Sequence, residues 1–299
     1  MNLDPLQLRA LSAAVDEGTF EAAARRLHVT PSAVSQRLRA LETATGRVLL
    51  VRSKPVRVTP SGRTVLRLAR QLELLAADTA ATLGAEDGTG EAVALSVAIN
   101  ADSLATWFLP AVAPLADAIT FRLVRVDEHR TSELLREGEV VAAVTTDATP
   151  VAGCHVVALG AMRYRAAASP AFAARWFPDG TTPAAVARAP MVVFDRDDPL
   201  QHAYVARHAA PGADPPVHMV PSSAEFARAI AMGMGWGLLP ELLLAGDAPE
   251  VVLLDADRYT DVPLHWQQWR LRTPALDLLA DAVVAAARGA LQRAPATGR

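Results

Sequence analysis

The chain has 299 residues, of which 51% are hydrophobic and 20% charged, and its formal net charge is −3. That length suits about two domains, and no apolar run approaches the ~20 residues that a membrane-spanning helix needs. Cys154 is the only cysteine, which excludes an internal disulfide and a multi-cysteine metal site. The opening Met1-Asn2-Leu3-Asp4 lacks the basic-then-apolar order of a secretory signal, so a cytoplasmic protein is expected, with no membrane partner.

The charge is unevenly spread. Residues 1–65 hold ten Lys and Arg against five acids, a balance of +5 that leaves −8 for the remainder. A basic small segment joined to an acidic large one suggests that only the first meets a polyanion. Within it, Leu8, Leu11 and Val15 make one helical stripe that Gly18 ends. Thr19 caps a short second helix whose Phe20, Ala23, Ala24 and Leu27 form its apolar face. Thr30-Pro31-Ser32 then sets an N-cap before a proline at the first helical position, and this third helix runs to about Thr45, with Gly46 as its stop. Val34, Leu38 and Leu41 belong to its packed side. Ser32, Ser35, Gln36 and Arg39 gather on the other, and hydroxyls, an amide and a guanidinium are what reading base edges and gripping phosphates require. The short second helix and tight turn make this a helix-turn-helix.

Val48–Val51 and Val56–Val58 are β-prone runs around Arg52-Ser53-Lys54-Pro55, a small wing whose basic tip, Arg52 and Lys54, reaches the DNA backbone. Thr59-Pro60-Ser61 opens a long helix to about Leu83, with a seam of Val65, Leu68, Leu72, Leu75 and Thr79 at coiled-coil-like spacing. A dimer contact is expected there, since a sixty-residue headpiece offers little else to cover it. Gly84 to Gly90 reads as an acidic hinge. The expected division is a winged helix-turn-helix at 1–59, a linker and dimerisation helix with its hinge at 60–90, and an effector domain at 91–299.

Phe20-Glu21-Ala22-Ala23-Ala24-Arg25-Arg26-Leu27, Thr30 to Leu38, Leu41-Glu42, Arg52 and Val58-Thr59-Pro60-Ser61-Gly62 together resemble the LysR-type transcriptional regulators. Leu50 departs from the pattern, standing where many members carry Phe. A narrower resemblance rests on Ile99 to Pro110, Pro150 to Cys154, Gly233 to Glu241 and His265 to Leu271. These are similar to the branch of the family that senses lysine or arginine. The resemblance implies an activator of a basic-amino-acid exporter gene, acting as a dimer or a dimer of dimers and working with RNA polymerase. It also implies a sensor fold of two subdomains around a cleft, like a periplasmic binding protein, with subdomain I at about 91–160 and 268–299 and subdomain II at about 161–267.

Independently of that resemblance, Val93–Ile99, Ile119–Val126 and Val140–Thr146 are β-rich and alternate with helical stretches near 104–116 and 131–138. Such alternation predicts an α/β sensor domain with a parallel sheet. Ligands of open α/β sheets sit beyond the carboxyl ends of the strands. Asn100, Asp102 and Ser103 after the first strand, Thr145 and Asp147 after the third, and Ser222 and Ser223 after Val217–Val220 have that address. A helix N-terminus beside Ser103 favours a carboxylate, and Asp127, Glu128 and Asp147 can answer ammonium groups. A zwitterion with an extra cationic arm would suit both, and together with the resemblance this makes lysine, arginine or histidine the expected effector, although the same serines and acids equally serve as caps and strand ends.

Enzyme motifs are absent from the sequence. The seven histidines form no HExxH or close metal pair, and there is no Gly-x-Ser-x-Gly elbow or Walker loop. Gly233, Gly235 and Gly237 mark a helix-to-strand turn, because Leu238 occupies the place of a third fingerprint glycine. No cofactor or metal is expected. The alternatives are a LysR-type regulator of a different small anion and a solute-binding protein without regulatory role.

Overall fold

The computed structural model describes residues 3–51, 53–82, 93–126, 128–196, 199–245 and 250–293. In the headpiece, α1 (Pro5–Glu17), α2 (Phe20–Arg26) and α3 (Pro31–Thr45) are followed by β1 (Leu50–Val51) and β2 (Arg57–Val58). Asp4, Thr19 and Thr30 cap the three helices through their side chains. Leu8, Leu11, Val34, Leu38, Leu41 and Leu49 close a headpiece core that Leu66 and Ala69 of α4 (Pro60–Thr82) complete. The long helix thus gives one stripe to its own headpiece.

The sensor half begins with β3 (Val93–Ile99), whose exit helix passes from α5 (Ala101–Ser103) through a π turn (Leu104–Phe108) into α6 (Leu109–Val112). Then come β4 (Ile119–Arg125), α7 (Glu128–Glu137) and β5 (Ala142–Thr145), followed by the fifteen-residue β6 (Cys154–Ala168). α8 (Pro170–Trp176), α9 (Pro183–Val186), β7 (Met191–Val193), α10 (Pro199–His208), β8 (Val217–Met219), α11 (Ser223–Ala231), β9 (Gly237–Pro240), α12 (Glu241–Leu244) and β10 (Val252–Leu253) follow. β11 (Thr260–Trp269) returns the chain to α13 (Pro274–Ala290).

β3 pairs in parallel with β4 and β5, while β11 joins β5 to β6 in antiparallel fashion. β6 and β11 run together along ten residue pairs, interrupted by a register shift at Leu264/His265. Past that shift β6 takes new neighbours, pairing with β9 and β10, and β7 with β8 completes the second lobe. Two continuous strands therefore carry the chain between the lobes. Trp236, Trp266 and Trp269 are fully buried and Trp107 nearly so, making them core rather than cleft wall.

The linker helix also lies against the first lobe. Arg63 pairs with Glu137, and Arg67 donates to the Ala152 carbonyl at 2.7 Å with its guanidinium 5.6 Å from the Trp269 ring. Arg70 reaches Asp16 of α1 at 2.6 Å and also donates to the Gly138 carbonyl, while Arg122 of β4 stands 3.7 Å from Asp16. Among the described residues, no helix is long and apolar enough to cross a membrane, and no cluster of His, Cys, Asp and Glu could hold a metal ion.

Candidate functional site

On α3, Val34, Leu38 and Leu41 are buried, which turns the polar face outward. Ser32, Gln36 and Arg39 are exposed and Ser35 is half-buried. The Thr30 hydroxyl accepts from the Ala33 amide at 3.2 Å and lies 2.9 Å from the Ser32 hydroxyl, so the helix start is fixed beside the reading face. Glu42 accepts from the Leu49 amide at 2.9 Å and ties the end of α3 to the wing. Lys54 is exposed between the wing strands; Arg52 lies outside the described residues.

The seam expected on α4 divides. Leu68, Leu72 and Leu75 are exposed apolar side chains at 37%, 42% and 38%. That row has no cover among the described residues. Val65, by contrast, packs against the headpiece core. Leu74 belongs to the sensor core, so three faces of one helix meet three different surroundings.

The expected effector residues also separate. Asp102 is half-buried between the lobes, with one carboxylate oxygen accepting from Tyr164 Oη and the other from Ser223 Oγ, each at 2.8 Å. Burial raises its pKa above the ordinary carboxylate value, against the pull of those two hydroxyls. Asp102, Tyr164 and Ser223 line a small cavity whose other walls include Phe194, Leu200, Phe226 and Leu238. Its wall is mostly apolar with convergent polar groups, as small-molecule sites are.

Ser103 does not present the open helix terminus expected of it. It is fully buried, Asn100 Oδ1 already accepts from its amide at 3.0 Å, and its hydroxyl has no hydrogen-bond partner among the described residues. Thr145 is buried and accepts from the Asp147 amide at 3.1 Å; Ser222 bonds to Glu225 at the start of α11. Asp147 is exposed and is not among the cavity's lining residues. The Thr149 amide, ahead of Ser132 and His265, holds its carboxyl below the ordinary range. Gln267 Nε2 pins that turn, donating to the carbonyls of Asp147 and Thr149. Asp127 and the Glu128 side chain lie outside the described residues.

Sequence reading missed Tyr164, Phe194 and Arg125. Arg125 ends β4, donates to the Pro221 carbonyl at 3.4 Å and has its guanidinium 5.8 Å from the Phe194 ring. Its place at a strand's carboxyl end was a usable signal; the others become neighbours only when the lobes meet.

A helix-turn-helix with an outward polar face, joined to a two-lobed α/β module around a cleft, defines a DNA-binding regulator that senses a small molecule. The chain belongs to the LysR family. The model described as bacterial regulatory helix-turn-helix protein, lysR family, matches residues 6–63, and that of the LysR substrate binding domain matches residues 88–288. The family is one of transcriptional regulators, not enzymes. The chain is 43% identical to the lysine export transcriptional regulatory protein LysG of Corynebacterium glutamicum over 290 residues, covering 95% of this chain and 98% of that one. The crystal structure of ArgP from Mycobacterium tuberculosis has 44% identity and a TM-score of 0.86, covering 98% and 100% of the two chains. Full-length C. glutamicum LysG with bound effector Arg has 43% identity and a TM-score of 0.75, covering 97% and 99%.

Proposed function

We propose that this regulator responds to a free basic amino acid (lysine, arginine or histidine) and controls a gene for its export. The observation that carries the reading is Asp102, a carboxyl partly withdrawn from water in a largely apolar cleft. A charge in such a place is costly until a cation meets it, and the apolar walls suit the methylenes of a long side chain. Asp147, exposed and held ionised beyond the carboxyl end of β5, is the candidate for the second cationic group. The likeness to an arginine-bound LysG supports the same effector class.

Ser32, Ser35, Gln36 and Arg39 read and grip operator DNA, with Arg52 and Lys54 on the backbone. Leu68, Leu72 and Leu75 pair two copies, and two such dimers make the working tetramer, which contacts RNA polymerase in the cytoplasm. An effector changes the geometry of the bound DNA only through its different affinities for the two cleft arrangements. Gel shifts of the full chain on its own upstream DNA test this, with lysine, arginine, histidine and norleucine in turn. The basic amino acids should change the shift and norleucine should not. An unchanged pattern with all three, or an equal response to norleucine, removes the effector assignment and leaves the DNA-binding assignment standing.

A further inference from the structure

Two polar contacts cross the cleft from adjacent strands of the first lobe, and both end on one short segment. Asp102, just after β3, meets the Ser223 hydroxyl, while Arg125, at the end of β4, meets the Pro221 carbonyl. β3 and β4 are paired in register with Ile99 opposite Arg125, so the acid and the guanidinium leave the same sheet edge. Phe194 lines the cavity and also lies beneath Arg125, which is not itself a lining residue, so the cation stands outside the cavity beyond Phe194. Arg125 is exposed, and it carries donors beyond the single one given to Pro221. Meanwhile the helix terminus at Ser103 is already closed by Asn100.

We infer that Arg125 is the residue that binds the effector's α-carboxylate, exchanging its bond to Pro221 for a forked pair of bonds to the ligand. The inference rests on the amino-acid reading above. A planar guanidinium matches a carboxylate in two parallel hydrogen bonds, and Asp102, at the exit of the neighbouring strand, supplies the opposite pole that a zwitterion needs. Substitution at an exposed side chain leaves the core untouched, and ligand-free DNA binding reports that the fold survives.

Calorimetry on the full-length protein tests it with four titrations: lysine and lysinamide, each into the parent and into Arg125→Met. Lysinamide keeps both amines but has no carboxylate. Lysine should bind the variant at least tenfold more weakly than the parent, as expected when a charged hydrogen-bond partner is removed. Lysinamide should bind the parent weakly, and Arg125→Met should change its affinity by less than about twofold. If lysine binds both proteins alike, or if lysinamide loses as much as lysine, Arg125 is not the carboxylate partner while the effector reading stands. If neither lysine nor arginine binds the parent, both fall together.

Discussion

At the residue scale, the two candidate sites depend on side chains whose chemistry is fixed by what surrounds them. Gln36 is exposed on a helix whose other face is locked into the headpiece core, so its Cα–Cβ bond leaves the helix in a fixed direction. Gln36→Ala should cost about 1–3 kcal/mol of specific operator affinity if it reads a base edge, with thermal stability unchanged. Fluorescence anisotropy on operator and scrambled DNA checks this, since equal losses on both would mark a phosphate contact instead. Asp102 is the contrasting case. Its pKa is raised by burial, and a cation brought against it favours the ionised form, so below the raised pKa binding expels a proton. Lysine affinity should therefore be full above the raised pKa and fall as pH drops through it toward the ordinary carboxylate range. Asp147 is held below that range by the Thr149 amide and stays ionised over the same interval, so it adds no slope. Asp102→Asn should bind lysine at least tenfold more weakly and without the slope. A parent whose affinity is flat across that interval would show that Asp102 does not meet the cation.

At the scale of elements, much was legible in the sequence because local rules decided it. Thr19, Thr30 and the glycines at 18 and 46 bound the headpiece helices where cap chemistry put them. β3 occupies Val93–Ile99, the β-rich run read from the sequence, and α11 begins after Ser222. What was not legible came from tertiary placement. Val65 shares its spacing with Leu68 and Leu72, yet headpiece packing takes it, because α4 meets α1 and the wing before it becomes free. Likewise Asp102 and Ser223 are 121 residues apart in sequence and touch only across the lobes. The free row that remains on α4 makes its own prediction. Leu72→Glu would bring like charges together across a two-fold axis, and its side chain is exposed within one chain, so monomer folding should be spared. Light scattering should show monomers and operator affinity should collapse; a variant that is still dimeric would place the interface elsewhere.

At the scale of the whole molecule, the question is how a cleft between two lobes can reach a headpiece on the far side of the first. The strands that join the lobes, β6 and β11, have their first-lobe ends at Cys154 and Trp269, which pair with each other. Arg67 of α4 sits on that pair of ends, bonded to the Ala152 carbonyl and lying over the Trp269 ring. The fit is close: a Cβ on Gly153 would stand 2.5 Å from Arg67 Nη2, and one on Gly138 would stand 2.9 Å from Arg67 Cα. Both glycines have positive φ, so a side chain there would be strained as well as crowded. A twist of β6 against β11 would thus reach Arg67, on the helix that carries the DNA-binding unit. Such coupling needs an element with two arrangements that both sites bias, and the contact of Arg67 with the strand ends is the candidate. Arg67→Ala should leave lysine affinity within about twofold, because Arg67 is not among the residues lining the cavity. The ratio of operator affinities with and without lysine should fall toward one, which anisotropy titrations at saturating lysine measure directly. A variant that keeps the parent's ratio would mean that the signal passes along another route, with Arg63 to Glu137 and Arg70 to Gly138 the next contacts to remove.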